Sequence, residues 1–376
     1  MDDDAGDDTG DEAGDGVGEE GNDLVDDGAG ARLGGDADLA YELDDDTAVV
    51  DAKISTGFLP ADADVRAAVS EGYERVRNLD AGTVSDYIPA LAGARAVDFG
   101  VCVAGVDGRV FAIGDADLAF TIQSISKVFV FALVCDALGH QDARRKLGVN
   151  STGLPYDSVM AIELSPTRTT NPMVNAGALA TTSLVPGTTA EEKFARIAEV
   201  LSRFAGRQLE FDEEAYRSEI AANFRNRGIA HLLYGYGRIY SDPELATDVY
   251  TRQCSLRVTA RDLAVMGATL AGGGMNPLTH ERAVAQGSCR RVLAVLATSG
   301  LYERSGDWLY DVGLPGKSGI SGGLVTVSPG KGGVGTYSPL LDPAGNSVRG
   351  QHITTYLSER LGLNLFSSAP LGGTGG

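Results

Sequence analysis

The chain has 376 residues, 43% of them hydrophobic, and a formal net charge of −21, enough apolar content for one large or two modest domains. The charge is lopsided: residues 1–51 hold 20 of the 52 acidic side chains and a single basic one, Arg32. An acidic segment of that kind repels nucleic acid and anionic membranes, and the nearly neutral remainder offers no basic footprint for either.

Residues 1–60 read as a disordered acidic tail, because Asp, Gly, Glu and Ala bury too little to offset the entropy of ordering. A helix is expected over Asp62–Arg77, with Val65, Ala68, Val69 and Tyr73 at helical spacing. Residues 96–105 (AVDFGVCVAG) read as a buried strand, Asp107-Gly108 as a turn, and Arg109–Ile113 as the returning strand. A very apolar helix follows from about Ser124 to Ala137, with Gly139 as its stop. Beyond an irregular Pro/Thr/Ser stretch, helical patterns recur at 171–180, 190–205, 212–227, 241–251, 259–273 and 280–298. Leu324–Val327 and Val334–Tyr337 form a hairpin around SPGKGG. A last helix, Gln351–Leu361, precedes a flexible end at 367–376. Strands near both ends of 61–366 and helices in the middle indicate an α+β domain: an antiparallel sheet flanked by helices, plus an all-helical cluster.

Cys102, Cys135, Cys254 and Cys289 are far apart and form no C-x-x-C pair, and the four histidines show no metal spacing. No metal or disulfide is expected, and free thiols fit a reducing, cytoplasmic setting. There is no basic-then-apolar leader, and the longest apolar run, Val128–Cys135, is too short to span a bilayer.

The chemistry gathers at FTIQSISKVF, residues 120–129. Ser124 and Lys127, at spacing i, i+3, share one helix face. A serine becomes a nucleophile when a neighbouring base takes its proton, and a lysine can do so only uncharged. That requires lowering its pKa by roughly three units, or about 4 kcal/mol, which burial beside Val128, Phe129, Val130 and Phe131 can supply. In the first helical turn, free backbone N–H groups would also face a developing oxyanion. A second Ser-x-x-Lys, Ser328–Lys331, sits in a Pro/Gly turn and reads as a hairpin loop. Penicillin-recognising serine enzymes join a Ser-x-x-Lys helix to a second polar element and a Lys-Thr-Gly strand. Lys317-Ser318-Gly319 would be that last part. An S-D-N element is missing, since Ser85-Asp86 and Ser241-Asp242 continue as SDY and SDP.

Further segments read with these: SDYIPALA (85–92), NPMVNAGA (171–178), YRSE (216–219), FRNR (224–227), YTRQCS (250–255), GLYERSGDW (300–308), GLPGKSGISGG (313–323) and SPLLDPAGNSVRG (338–350). In this order, over about residues 66–362, the set resembles the serine-dependent glutaminase family. The resemblance implies a serine β-lactamase-like fold and the hydrolysis of L-glutamine to L-glutamate and ammonia without a cofactor. It implies Ser124 as nucleophile and Lys127 as its base. Tyr87, Asn175, Glu219, Asn226, Tyr250, Tyr302 and Ile320 become substrate contacts, Ile320 standing where the family usually has Val. Glu219 would meet the α-ammonium, while Asn175, Asn226 and Tyr87 would serve the α-carboxylate. The N–H groups of Ser124 and Ile320 would form the oxyanion hole. Tyr302, in preference to Tyr250, would relay a proton to ammonia, and Lys317 would add a positive field. A homodimer or homotetramer is also implied. Each residue has a plainer role open to it: core tyrosines at 250 and 302, helix caps at Asn175 and Asn226, a solvated helix-face charge at Glu219. A lactam-hydrolysing relative and an inactive scaffold with the same fold remain the competing readings.

Overall fold

The computed structural model describes residues 57–368, which all belong to one compact unit, Val50–Gly376. Most of the acidic segment, and the chain end from 369, lie outside the described residues.

The central sheet has five antiparallel strands in the order Val110–Gly114, Gly100–Gly105, Gly332–Tyr337, Gly323–Ser328, Gly316–Ser318. Its first hairpin comes from the start of the domain and the remaining strands from its end, so the chain closes the sheet only after completing the helical middle. Both faces are covered. Val101 and Val103 point toward the terminal helices Asp62–Val76 and Val348–Arg360, packing with Val65, Val69, Ile353 and Leu357. The alternate residues, Cys102 and Ala104, meet Ala264, Val265 and Ala268 of the helix Ala260–Ala271. A strand buried on both sides reads as a continuous apolar run; the strand expected over 96–105 starts only at Gly100, with Val97 exposed in the turn before it.

That second helix lies against bare backbone. A Cβ at Gly335 would come within 2.1 Å of Ala260 O, and one at Gly333 within 2.4 Å of Ala264 O. The glycines of Gly332–Tyr337 therefore permit a helix–sheet approach closer than any side chain allows.

The helical cluster holds Ser126–Leu138, Asn175–Ser183, Ala190–Ala205, Glu213–Ala222, Phe224–Gly235 and Pro243–Cys254. Ala190–Ala205 starts at a full capping box, with Thr189 and Glu192 satisfying each other's backbone N–H groups. The single helix expected over 212–227 is two, broken at Asn223. A small sheet of Phe120–Thr121, Leu256–Val258 and Glu210–Phe211, not foreseen from the sequence, joins the cluster to the segment entering the Ser124 turn.

Two further expectations change. Ser124 is not in the first turn of an α-helix: Gln123–Ile125 form a 3₁₀ turn, and the α-helix begins at Ser126. Asn175 is not a cap: its helix starts at Asn175 itself, and its amide is engaged elsewhere. The SPGK loop does link two strands, but Lys331 is buried there, its Nζ donating to Gly362 O at 2.6 Å. Among the described residues no helix is long and apolar enough to cross a membrane.

Candidate active site

The site forms where the 3₁₀ turn meets the helical cluster on one side and the sheet edge on the other. Gln123 has φ +48°, a left-handed conformation that costs a non-glycine residue about 1–2 kcal/mol. The turn tolerates it because both its sides are packed: the Ile122 and Ile125 side chains are fully buried, and the Lys317–Gly319 edge lies against it. A Cβ on Gly319 would stand 3.1 Å from Ile122 O, so that edge strand comes within backbone distance of the turn.

Lys127 Nζ donates to Ser124 Oγ at 3.1 Å and to Asn175 Oδ1 at 2.7 Å. Asn175 Nδ2 in turn donates to Asn226 Oδ1 at 2.9 Å, and Tyr250 OH reaches Asn175 Oδ1 at 3.4 Å. The amide of Asn175 is thereby oriented with its oxygen toward the lysine. Lys127 is 1% exposed, and burial lowers its pKa to about 8, with Cys254, Glu219 and Asp157 holding it back. A serine hydroxyl next to an amine so close to neutrality can lose its proton to it.

Glu219 lies on the neighbouring helix Glu213–Ala222, and is buried. Desolvation pushes its carboxyl up to about 7, opposed by the Gln123 amide, which donates to Oε2 at 3.4 Å, and by Lys127. A buried carboxylate with a single amide donor is ready to accept a cationic partner. Tyr87 stands nearby, two-fifths exposed. Its phenol is raised above the usual value by burial first and then by the Glu219 charge.

On the sheet side, Tyr302 takes φ +58° in the 3₁₀ turn Tyr302–Arg304. Its hydroxyl donates to Ser318 O at 3.4 Å, and its ring lies 3.9 Å from Lys317 Nζ and 4.9 Å from the ring of Tyr156. Burial raises its pKa, with the Ser124 hydroxyl as the largest opposing influence, so the phenol faces the serine. Tyr250, wholly buried, is also raised, first by desolvation. Ile320 is half-buried in the turn after Ser318. A Cβ on Gly345 would touch both Ile320 and Tyr302, at 3.5 and 4.0 Å, so these two side chains converge. Lys317 is fully buried, donates to Ser318 O at 2.8 Å, and has its pKa driven well down by desolvation and by Lys127. Two buried amines in one site disfavour each other's charge, and among the described residues no carboxylate bonds to Lys317.

Ser124, Lys127, Asn175, Asn226, Glu219 and Tyr250 thus join through side-chain hydrogen bonds or mutual fields, with Tyr302, Lys317 and Ile320 grouped across the turn and Tyr87 at the rim. The sequence reading missed Gln123 and Tyr156. Gln123 directly precedes Ser124, the candidate nucleophile, a position where backbone strain is common, and that adjacency was the available signal. Tyr156 lies in an irregular stretch, and its carbonyl accepts from Asn175 N at 2.8 Å. Nothing in local sequence points to it. Among the described residues no three His, Cys, Asp or Glu side chains converge to hold a metal.

The antiparallel sheet with its helical cluster is a mixed α+β fold of the serine β-lactamase-like class, and the neighbours among solved structures agree. A probable glutaminase, ybaS, superposes with a TM-score of 0.81 at 44% identity, over 82% of this chain and all of that one. A probable glutaminase from Bacillus subtilis complexed with 6-diazo-5-oxo-L-norleucine gives 0.72 at 31% identity, over 81% and 96%. In sequence the chain is 59% identical over 317 residues to Glutaminase 2 of Yersinia pestis, covering 84% of this chain and 93% of that protein. It is 49% identical over 304 residues to a glutaminase of Brucella canis, covering 81% and 96%. The glutaminase family model matches residues 82–366. The chain belongs to the glutaminase family and is an amidohydrolase of that class.

Proposed function

We propose that the chain hydrolyses L-glutamine to L-glutamate and ammonia with Ser124 as nucleophile and Lys127 as its base. The observation that carries this reading is the buried Lys127 amine 3.1 Å from Ser124 Oγ, its pKa lowered to about 8. Ser124 Oγ attacks the side-chain carboxamide carbon as its proton passes to Nζ. The N–H groups of Ser124 and Ile320 receive the oxyanion, a contribution of about 3–4 kcal/mol for each such donor in comparable enzymes. The C–N bond then breaks, and the departing NH₂ group takes the proton that Lys127 received, relayed through Tyr302, whose raised pKa keeps it a donor at neutral pH, so that Lys127 is neutral again. Water enters, gives a proton to Lys127 and cleaves the acyl-enzyme, releasing glutamate and restoring the serine.

Substrate recognition follows from charge. Glu219 accepts the α-ammonium, whose arrival favours the ionised carboxylate and so lowers its raised pKa. Asn226, Asn175 and Tyr87 serve the α-carboxylate, and Tyr250 closes the pocket beside Asn175. Lys317 is assigned a different part from the fixed cation expected of it: burial pushes it toward neutrality, and it props the Tyr302 ring and the Ser318 carbonyl. We place the protein in the cytoplasm as a homodimer or homotetramer, on the family resemblance and its four free thiols.

The test is ammonia release from L-glutamine and L-asparagine beside colour release from a chromogenic cephalosporin, for wild type and Ser124→Ala. Ammonia from glutamine alone, abolished in Ser124→Ala, is the expected result. Turnover of the cephalosporin alone, or ammonia release that survives Ser124→Ala, overturns the assignment.

A further inference from the structure

The turn bearing Ser124 is gripped from behind by three side chains outside the constellation above. Thr182 Oγ1 donates to Gln253 Oε1 at 2.9 Å, Gln253 Nε2 donates to Ser126 Oγ at 3.2 Å, and Ser126 Oγ donates to Gln123 O at 2.8 Å. The backbone N–H of Ser126 also reaches that carbonyl. Thr182, Gln253 and Ser126 are all 0% exposed.

Every donor in this chain points the same way, toward the carbonyl of the strained residue just before the nucleophile. Hydrogen bonds aligned head to tail polarise one another, so the last of them is strengthened by those behind it. The three groups sit on Asn175–Ser183, Pro243–Cys254 and Ser126–Leu138, the helices that also carry Asn175, Tyr250 and Lys127. Packing alone does not call for them, since apolar side chains of the same size fill a dry interface without any need for partners. Gln123 is the point at which the chain acts. Its carbonyl is held from behind, its peptide carries Ser124, and its side-chain amide reaches Glu219 Oε2 and Thr121 Oγ1.

We infer that Thr182, Gln253 and Ser126 form a positioning relay for the reaction. It locks Gln123 in its left-handed conformation, and thereby sets both the Ser124 hydroxyl against Lys127 and the amide that steers Glu219. This rests on the function proposed above and adds to it three residues that do not touch the reacting atoms.

The experiment compares kcat, KM for L-glutamine and thermal midpoint for wild type, Ser126→Ala, Ser126→Thr, Gln253→Met and the Ser126→Ala/Gln253→Met double variant. Displacing a reactive group by about 1 Å can cost about 100-fold in rate. Ser126→Ala is therefore expected to lose about 30- to 100-fold in kcat with a rise of a few fold in KM, and Gln253→Met about 10-fold in kcat. Ser126→Thr, which keeps the hydroxyl, should recover most of the loss. The double variant should be no more than about threefold worse than Ser126→Ala, because both changes cut one chain. A purely structural role would lower the midpoint and leave the kcat and KM of the folded enzyme unchanged. Folded Ser126→Ala or Gln253→Met with kcat within about threefold of wild type overturns the relay, as do losses that multiply in the double variant. If Ser126→Ala does not fold, Gln253→Met decides by the same criterion. A wild type that releases no ammonia from glutamine overturns the functional reading itself, a result distinct from an active enzyme indifferent to these substitutions.

Discussion

Replacing Glu219 with Gln separates what this carboxylate does for recognition from what it costs the fold. In the folded protein its carboxyl rises from 4.5 to about 7, with burial as the chief cause. At about 1.4 kcal/mol per unit, that shift makes the ionised form cost the fold about 3 kcal/mol. The sign follows from proton occupancy. Between 4.5 and about 7 the folded state holds more proton than the unfolded chain, so rising pH erodes stability across that window. The cost is complete near pH 8 and falls to about 1 kcal/mol or less at pH 5. A glutamine of nearly the same shape, still bonded to Gln123, carries no such penalty. Glu219→Gln is expected to melt about 5 °C above wild type at pH 8 in the absence of substrate, with the gap shrinking sharply at pH 5. The same substitution removes the charged acceptor proposed for the α-ammonium, an expected loss of about 1.5–3 kcal/mol, or about 10- to 150-fold in kcat/KM, carried mainly by KM. Thermal melts at both pH values and steady-state kinetics read the two halves. A Glu219→Gln variant no more stable than wild type at pH 8, or with unchanged KM, refutes the reasoning.

Lys127→Ala should keep the fold and lower kcat by at least about 1,000-fold, because it removes the base proposed for both half-reactions; a loss below about tenfold would point to a different base. Tyr302→Phe is expected to cut kcat by about 100-fold with little change in KM, whereas Tyr250→Phe should act mainly on KM. The reverse pattern would move the proton relay to Tyr250. Lys331→Met strands Gly362 O, to which the buried Nζ donates, and should destabilise the protein by about 1–3 kcal/mol while kcat stays within twofold. An unchanged melting midpoint would show that this hairpin lysine is dispensable.

Much of this molecule is readable in the chain because local pattern and tertiary role agree. The Asp107-Gly108 turn and the 190–205 and 259–273 helices emerge near their expected limits, whereas the strand expected over 96–105 forms only from Gly100, residues 96 and 97 lying in an exposed turn. Ser124 and Lys127 are found because their spacing brings them within 3.1 Å whether the turn is α or 3₁₀. The relations among distant segments were hidden. That Asn175 turns its oxygen to Lys127, and is itself oriented by Asn226 on another helix, depends on packing that no periodicity encodes. The 3₁₀ turn at Gln123 was missed because its conformation is imposed by contacts on both sides, against the local preference of a glutamine. Lysine usage held a clue that composition left unread. Of the few lysines in this chain, Lys127, Lys193, Lys317 and Lys331 are all buried, and arginine supplies most of the surface cations. In so lysine-poor a sequence, a lysine inside an apolar or glycine-rich stretch marks an interior site.

The proposed chemistry requires an amine at position 127 whose uncharged form is substantially populated near neutrality and dominant above about pH 8. Its direct measurement is an NMR titration of ¹³Cε,¹⁵Nζ-labelled lysine, with the Lys127 signal identified by its loss in a Lys127→Arg variant. A midpoint of about 8, matched by the acidic limb of kcat/KM, is the predicted result. A midpoint near 10.5, the ordinary lysine value, in an enzyme fully active at pH 8 would contradict it.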